Sequence, residues 1–315
     1  MKKIYSLLLL ASTGIAFSQQ ALPFSDNFSY PAGNLHTTAP WSVVGNIPIP
    51  EDHILLDGST VTFGAGGTDA QVLITNQTTG TVFYKLTLNV VSMVGVTEVN
   101  GGYLAGFAQS SSIFGSTLWT KRVDDTNFNV GIEVRTATGT NTTFTSTSYP
   151  VGTPLNIVVS YTYNTGTATD DVSKLWINPS STDEATPLLT DTHTGADLTG
   201  IISFFLRQDS ATETPSVTID NLKIANTFSE TLSSDVFTTI DGFKTFPNPV
   251  TNGVLNITTS SNDIKTVEIF DIAGKQVFNV TTSEESLNIN QLKTGVYMLK
   301  VTENNKVSTQ KLMVK

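Results

Sequence analysis

The sequence has no cysteine among its 315 residues. That absence excludes disulfide-stabilised scaffolds, thiol nucleophiles and zinc or iron sites built from cysteine. Basic residues are also few, since 17 Lys and Arg stand against 27 Asp and Glu, for a formal net charge of −10. Proteins that bind DNA or RNA neutralise phosphates with Lys and Arg, so this balance argues against a nucleic-acid partner.

The sequence also lacks the apolar spacing of a long amphipathic helix. Apolar and polar residues alternate in three segments, and short apolar runs separated by clusters of Gly, Pro, Asn and Asp follow in three more. The six segments are residues 82–91, 128–135, 155–163, 172–177, 201–206 and 217–224. Many short strands at this spacing predict a sandwich of two antiparallel sheets.

The N terminus has the pattern of an export signal. Two lysines precede an apolar run, and Ala16 and Ser18 place small residues at the −3 and −1 positions of a cut before Gln19. The run is much shorter than the ~20 apolar residues of a membrane-spanning helix. We therefore predict a signal peptide over residues 1–18 and no membrane span in the mature chain. No cysteine follows the cut, which excludes a lipid anchor at that point.

Charge divides the remaining chain into two parts. Residues 19–240 carry 7 basic and 20 acidic side chains, a net of −13, whereas residues 241–315 carry 8 basic and 7 acidic side chains, a net of +1. Between them, residues 226–242 are polar and have no sustained strand or helix period, which is typical of a linker. The predicted organisation is a first domain at 19–227, a linker at 228–242 and a second domain at 243–315.

The first domain resembles a family of secreted jelly-roll proteins. The opening DNFSYPAGNL, the following Trp41, and the later segments LWINP, LRQ and IDNLKI carry the resemblance. They are similar to the laminin-G-like, concanavalin A-like domain of secreted Bacteroidetes proteins, over about residues 22–227. The resemblance implies an all-β, antiparallel, lectin-type jelly-roll sandwich. Relatives of this kind occur as accessory modules beside nucleases or glycan enzymes, so the resemblance does not imply one shared activity.

The second domain carries a more specific set of motifs. FKTFPNPV, GVLNI, VEIFDIAGKQV, LKTGVYMLKV and KLMVK follow one another in this order through residues 243–315. Together they resemble the type A C-terminal sorting domain of the type IX secretion system, a small immunoglobulin-like β-sandwich. The resemblance implies the translocon and a sortase-like protease as partners. It also implies passage through the periplasm, then release from the cell or attachment at the outer-membrane surface.

Six residues of the second domain are predicted to form the sorting signal: Pro247, Asn248, Pro249, Gly274, Gly295 and Lys315. The two prolines fix φ and cannot donate ladder hydrogen bonds, so they predict an extended strand around Asn248. The segment from Asp271 to Gly274 predicts a turn, in which glycine would supply a positive φ. Gly295 is predicted to begin the next strand.

No motif in the sequence predicts catalysis. A retaining β-glucanase needs two carboxylates ~5.5 Å apart, which usually means acidic residues two or four positions apart on one strand. The four-apart pair Asp209 and Glu213 lies in a turn-like stretch. GxSxG, phosphate-loop and HExxH motifs are absent as well. We expect no enzyme, although carboxylates on separate strands leave a glycan-active hydrolase as the lesser alternative.

No set of metal ligands is evident either. Three histidines that are far apart in sequence are expected to be loop or surface residues: His36, His53 and His193. Asp125, Asn127 and Asn129 are spaced like the start of a calcium loop, but Val130 stands where the loop needs Gly and no Glu follows at the required distance. We therefore predict no cofactor. A structural calcium ion held by carbonyls and scattered Asp stays open.

A carbohydrate-binding function would use aromatic rings that stack on sugars. Trp41 and Trp176 lie in the family-like segments and are expected to pack in the core or at its rim. Trp119 shares a strand face with Lys121 by parity and is expected to be exposed, and Tyr103 is expected to flank the same surface. Hydrogen bonds to sugar hydroxyls would come from the polar face of a neighbouring predicted strand, from Arg135 and Glu133.

Two functions are therefore consistent with the sequence. A secreted, glycan-binding or adhesive jelly roll would have a sheet lined by two or more exposed aromatic residues. A non-catalytic structural or protein-interaction component of the cell surface would instead have a sheet face of Thr, Ser and small residues. We favour the first function.

Overall fold

The computed structural model describes residues 18–45, 53–64, 66–135, 141–192, 195–233, 240–272, 274–304 and 306–315. The chain forms two compact units, Met1–Ser233 and Ser234–Lys315, whose boundary falls inside the predicted linker. Except for Ser18, the predicted signal peptide lies outside the described residues, as does His193. Within the described part of the chain, no helix is long and apolar enough to cross a membrane.

The first unit is built almost entirely from short strands. Apart from a 3₁₀ helix at Leu35–Thr37 and a terminal α-helix, α1 (Phe228–Leu232), it consists of β1 (Phe24–Asp26), β2 (Gly33–Asn34), β3 (Trp41–Val43), β4 (Leu55–Leu56), β5 (Val61–Phe63), β6 (Ala70–Gln77), β7 (Thr81–Ser92), β8 (Gly102–Ser110), β9 (Ile113–Arg122), β10 (Asn127–Arg135), β11 (Thr143–Phe144), β12 (Tyr149–Pro150), β13 (Leu155–Thr162), β14 (Val172–Ile177), β15 (Leu189–Asp191), β16 (Ile201–Leu206) and β17 (Ser216–Ala225). All six predicted strands are present.

These strands form two antiparallel sheets. Sheet A has nine strands in the order β15-β14-β13-β7-β17-β5-β4-β2, with β1 also paired to β17. Sheet B has eight strands in the order β11-β10-β9-β8-β16-β6-β3, with β12 also paired to β10. Consecutive strands are neighbours in part of each sheet, whereas pairs such as β7 with β17 and β8 with β16 join distant parts of the chain, as expected for a jelly roll. The predicted all-β sandwich is therefore confirmed.

The core lies between the inner faces of the two sheets. Alternation in β7 turns five residues inward and leaves them fully buried: Val82, Tyr84, Leu86, Leu88 and Val90. Tyr84 packs against Phe107 and Phe204 of sheet B with ring centroids 5.1 Å away in each case. Such strands have little stability alone, so burial of these apolar faces is what holds the sandwich together.

The family-like opening DNFSY forms a buried polar brace. Asp26, 6% exposed, accepts hydrogen bonds from the Trp41 indole at 2.7 Å, the Tyr30 hydroxyl at 2.9 Å and the Phe28 amide at 2.8 Å. Burial raises the pKa of the Asp26 carboxyl, and these three donors partly oppose that rise. Trp41 is fully buried, so the expectation that it belongs to packing is confirmed.

Part of the predicted linker is helical instead of irregular. The Thr227 hydroxyl accepts a hydrogen bond from the Glu230 amide and donates one to the Glu230 carboxylate, so Thr227 is the N-cap of α1. Phe228 packs on the outer face of sheet A against Trp176 and Phe83. The short polar sequence did not predict this helix because its stability comes from burial of Phe228, 1% exposed.

The second unit is a small β-sandwich with its own core. A three-stranded sheet has the order β18-β19-β22, and a four-stranded sheet has the order β21-β20-β23-β24. The strands are β18 (Lys244–Phe246), β19 (Val254–Thr258), β20 (Lys265–Phe270), β21 (Gln276–Thr282), β22 (Ser286–Asn288), β23 (Gly295–Glu303) and β24 (Lys306–Val314). Pro247, Asn248 and Pro249 follow β18 as a bend, so the prediction of a strand around Asn248 is wrong.

Candidate functional site

The face of sheet B that points away from the core, called here the outer face, carries a cluster of aromatic rings. Phe205 is on this face while its neighbour Phe204 is in the core, because side chains alternate along β16. Tyr103 on β8 packs against Trp119 at 5.1 Å, Phe114 at 6.1 Å and Phe205 at 6.2 Å between ring centroids. The sequence placed Trp119 and Tyr103 together, and the structure brings them into contact.

Trp119 is buried, so the expectation of an exposed indole is wrong. Only 7% of its surface is accessible, because the ring packs against Tyr103 and the indole N–H donates to the Thr117 hydroxyl at 2.9 Å. The alternation of side chains along the strand correctly predicted that Trp119 shares a face with Lys121. Alternation does not predict whether neighbouring side chains cover the ring. Tyr103 is the half-buried ring of the cluster.

An arginine and two carboxylates lie beside Tyr103. The Arg207 guanidinium is 4.8 Å from the Tyr103 ring centroid. It contacts Asp69 at 3.3 Å and Asp209 at 3.2 Å, and the Gln208 amide donates to Asp69 at 2.8 Å. The Arg207 Nε is buried and has no hydrogen-bond partner within the described residues. Sequence analysis missed Asp69, since no local motif links it to an arginine 138 positions away.

The electrostatics of this group follow from its partial burial. Burial raises the pKa of Asp69 to about 6, although the Gln208 amide and Arg207 oppose the rise. Burial likewise raises the pKa of Tyr103 to about 12, so its hydroxyl stays protonated at neutral pH. That hydroxyl makes no hydrogen bond to any described residue and is available as donor and acceptor.

The two other predicted ligand residues, Glu133 and Arg135, are on the outer face but are already engaged. Glu133 is 1% exposed, and its carboxylate faces the Asn141 amide at 3.4 Å. Arg135 donates to the carbonyls of Phe114 at 2.8 Å and Ala196 at 3.0 Å. The expectation that Glu133 is accessible to a ligand is therefore wrong, because residues at the edge of sheet B cover it. Arg135 is half-buried, and its two hydrogen bonds hold the segments around Phe114 and Ala196 in place.

Phe144 is an aromatic residue of the outer face that sequence analysis missed. It lies over Gly131, where an added Cβ would be 2.6 Å from its ring, and Lys121 is 5.5 Å from its centroid. Glycine at 131 therefore leaves room for the ring. Phe144 is half-buried, so it and Tyr103 are the partly accessible aromatic residues described on this surface.

Three carboxylates could hold a divalent cation. Ligand atoms of Asp170, Asp171 and Asp197 lie within 4.8 Å of one another. Asp171 accepts from the Tyr161 hydroxyl and the Asn164 amide, and Asp197 accepts from the amides of Asp170 and Asp171. One oxygen of Asp170 is buried without a hydrogen-bond partner among the described residues. Calcium prefers six to eight oxygen ligands, so further carbonyls or waters would have to complete this group.

The residues with calcium-loop spacing form a β-hairpin. Asp125 pairs with Arg122 at 2.7 Å, and the Asn129 side chain donates to the carbonyls of Thr145 and Thr147. The fold also brings together two histidines that the sequence separates. The rings of His36 and His53 lie 4.8 Å apart, and burial and His53 lower the pKa of His36.

In the second unit, the predicted sorting residues meet at one end of the four-stranded sheet. The Asn248 side chain donates to the Lys311 carbonyl at 2.7 Å and accepts from the Met313 amide at 2.9 Å. The Lys315 amide donates to the Val250 carbonyl at 2.8 Å. The bend after β18 is thus attached to β24 through the side chain of Asn248, and the backbone of Val250 continues the attachment. Gly295 pairs with Val314 at the same end.

Gly274 also lies at this end, in the turn between β20 and β21. Its φ is +81°, as the turn prediction required, and its amide donates to the Asp271 carbonyl at 3.0 Å. The fold thus brings together predicted sorting residues from four separate motifs, although they are spread over some seventy positions.

Residues 244–315 match the family described as a secretion system C-terminal sorting domain. The second unit is therefore a sorting domain, and type IX secretion carries the protein to the cell surface or outside the cell. The predicted interaction with the type IX machinery follows from the same match. No curated protein matches the chain.

Among solved structures, the chain is similar to a mutant of the alginate lyase Aly36B in complex with alginate tetrasaccharide, with a TM-score of 0.43 and 15% identity over 66% of this chain and 98% of that one. It is also similar to the Emp47p carbohydrate recognition domain, with a TM-score of 0.38 and 12% identity over 68% and 99%. An alginate lyase from Aplysia kurodai gives a TM-score of 0.35 and 11% identity over 56% and 85%. Similarities of this size do not indicate a ligand or a reaction for this chain.

Proposed function

We propose that the first unit is a carbohydrate-binding module of an exported protein, and that its ligand contacts the outer face of sheet B at Tyr103. In this proposal the N-terminal signal directs the chain to the periplasm, and the sorting domain then takes it across the outer membrane. The module binds its glycan without cleaving it.

The observation that carries the proposal is the partial exposure of the Tyr103 ring and its hydroxyl, which is unpaired within the described ranges. Its ring is supported from below by Trp119 and Phe205, and its hydroxyl has no partner among the described residues. A half-open aromatic ring with a free polar tip suits a sugar, which offers both C–H surfaces and hydroxyls. Arg207 and Asp69 beside it add a donor and an acceptor for sugar hydroxyls.

The charges favour a neutral glycan over a polyanionic one. The Arg207 guanidinium already contacts two carboxylates, those of Asp69 and Asp209. Residues 19–240 carry a net charge of −13, which would repel a uronate polymer at low ionic strength. An uncharged polysaccharide needs no free cation and is not repelled by the negative charge of the first unit.

Two alternatives have observations of their own. Asp69 and Asp209 both contact the Arg207 guanidinium, which brings the two carboxylates near each other. The raised pKa of Asp69 is a feature of carboxylates that donate protons in hydrolases. That pair favours a glycan-active enzyme as the second candidate. A structural or protein-interaction component is favoured by the burial of Trp119 and Phe205, which leaves little aromatic surface open.

The test is retention of the full-length chain on a panel of neutral and acidic polysaccharides. Tyr103→Ala removes the ring and Tyr103→Phe removes only the hydroxyl, so we expect strong loss for the first and partial loss for the second. Tyr149→Phe is the matched control, because Tyr149 is half-buried and packs against Phe128 in the core. Trp119→Ala is a poor probe, since its burial makes loss of stability the main effect.

Three outcomes decide between the functions. Saturable retention that Tyr103→Ala abolishes and Tyr149→Phe preserves supports a binding module. Release of reducing sugars that Asp69→Asn abolishes would favour the enzyme. Absence of retention on every polysaccharide, with normal folding, would favour the structural component.

A further inference from the structure

The sorting domain exposes an apolar patch on the outer side of its four-stranded sheet. The patch consists of Phe270, Ile272, Val296, Met298 and Met313. Ile272 is 89% exposed, Met298 48%, Val296 43% and Met313 37%, and Phe270 is half-buried. Phe270 pairs with Met298 across β20 and β23, and Val296 pairs with Met313 across β23 and β24. The four strand residues are therefore neighbours on one face, and Ile272 follows Phe270 in the adjoining turn. Exposed apolar patches of this kind mark interaction sites.

The patch is at the end of the sheet where the sorting residues meet. Asn248 binds the backbone of Lys311 and Met313, so it fixes the strand that carries Met313. The turn containing Gly274 carries Ile272. Gly295 begins the strand that carries Val296 and Met298. The sorting residues thus hold the patch in shape while contributing little exposed apolar surface themselves.

Two lysines border the patch, and one carboxylate, that of Asp271, lies in the same turn as Ile272 and accepts the Lys275 amide at 3.0 Å. Lys311 pairs directly across from Met298, and Lys275 closes the turn that carries Ile272. Neither lysine forms an ion pair within the part of the chain that the structure describes. Lys300, further along the face, is already paired with Glu268 at 2.9 Å. A complementary surface would therefore be apolar at its centre and bordered by carboxylates near Lys311 and Lys275.

We propose that this patch is the surface through which the sorting domain docks on a protein of the export machinery, and that the partner presents an apolar surface edged with acidic residues. The continuity of the patch with the sorting residues points to the machinery and not to the polysaccharide bound by the first unit. Self-association is disfavoured, since a two-fold interface would bring the unpaired lysines of both copies together.

The test is secretion of the full-length chain in a bacterium that has the type IX system. We expect the triple variant Val296→Thr, Met298→Thr, Met313→Thr to reduce the extracellular amount at least about tenfold and to accumulate in the periplasm. Threonine keeps strand propensity while removing apolar surface. Ile264→Thr is the matched control, because Ile264 is 68% exposed and lies outside the patch.

Charge reversal gives a second, independent measurement that leaves the sheet intact. Lys311→Glu with Lys275→Glu should reduce export in the same way, whereas Lys244→Glu, on an exposed position of the other sheet, should not. The thermal melting curves of all purified variants should match the wild-type curve, which separates docking from folding. A photo-crosslinking residue at position 298 should attach to an outer-membrane protein, and the same residue at position 264 should not.

Export of both the triple and the charge-reversed variants at the wild-type level would overturn the proposal. So would a wild-type chain that forms dimers through the patch, or that binds anionic lipid vesicles through it, when the triple variant does neither. These outcomes are independent of polysaccharide retention, so failure of this proposal and failure of the proposed binding function are distinguishable.

Discussion

The buried ion pair of the sorting domain offers a quantitative test of what holds that domain together. Lys265 and Glu303 face each other across β20 and β23, with side chains 0% and 2% exposed and a nitrogen–oxygen distance of 3.9 Å. The Lys265 ammonium also donates to Asn262 at 3.1 Å, and the Glu303 carboxylate accepts from the Thr259 hydroxyl at 2.8 Å. Each charge therefore relies on the other and on one polar neighbour.

Replacement of one partner leaves the other charge buried without compensation. We expect Lys265→Met to lower the free energy of unfolding of the sorting domain by about 3–5 kcal/mol, because the Glu303 carboxylate would lose its counter-ion in a site closed to water. The double variant Lys265→Met, Glu303→Leu should recover most of that loss. Well-packed apolar residues in place of a buried pair are often neutral or stabilising.

The three tryptophans make the assay specific. All of them, Trp41, Trp119 and Trp176, are in the first unit, so their fluorescence during urea unfolding should be unchanged in every variant and serves as an internal control. Hydrogen exchange of β20 and β23 peptides in the full-length chain reports the sorting domain. A loss below about 1 kcal/mol for Lys265→Met, or a double variant no more stable than the single one, would refute the reasoning.

Four further predictions concern single residues. Between about pH 4 and pH 8, wild type should lose about 3 kcal/mol of unfolding free energy relative to Asp69→Asn. Burial raises the pKa of this carboxyl from 3.8 to about 6, so between these two values the native state binds a proton that the unfolded state has released, and the loss is complete once the pH is well above 6; a pH-independent difference would contradict this. Asn248→Ala should cost about 1–2 kcal/mol and reduce export, because it removes both hydrogen bonds to β24, and secretion at the wild-type level would show that the bend is dispensable. Gly274→Val should cost about 1–2 kcal/mol, since a β-branched residue is strained at a φ of +81°, and unchanged exchange of the β20–β21 turn would argue against it. Trp119→Ala should destabilise the first unit by about 3–5 kcal/mol in urea unfolding, whereas an exposed indole would give a much smaller loss.

Local patterns in the sequence were sufficient for the class of fold and for the export route. Period-two alternation predicted β7, β10 and β13, because burial on one sheet face requires it. The sorting motifs predicted the second unit, which the family match confirms over residues 244–315. The division of charge along the chain likewise anticipated two units. Each of these signals is local, so none depends on which strands become neighbours.

What the sequence could not determine was which residues face each other and how deeply they are buried. Asp69, Tyr103 and Arg207 meet because β16 lies between β8 and β6 in sheet B, and nothing in their local sequences encodes that arrangement. Parity placed Trp119 on the correct face, but only the packing of Tyr103 against it decided that the indole is closed to solvent. Side-chain alternation is a property of one strand, whereas accessibility depends on neighbours that the tertiary structure brings from distant parts of the chain.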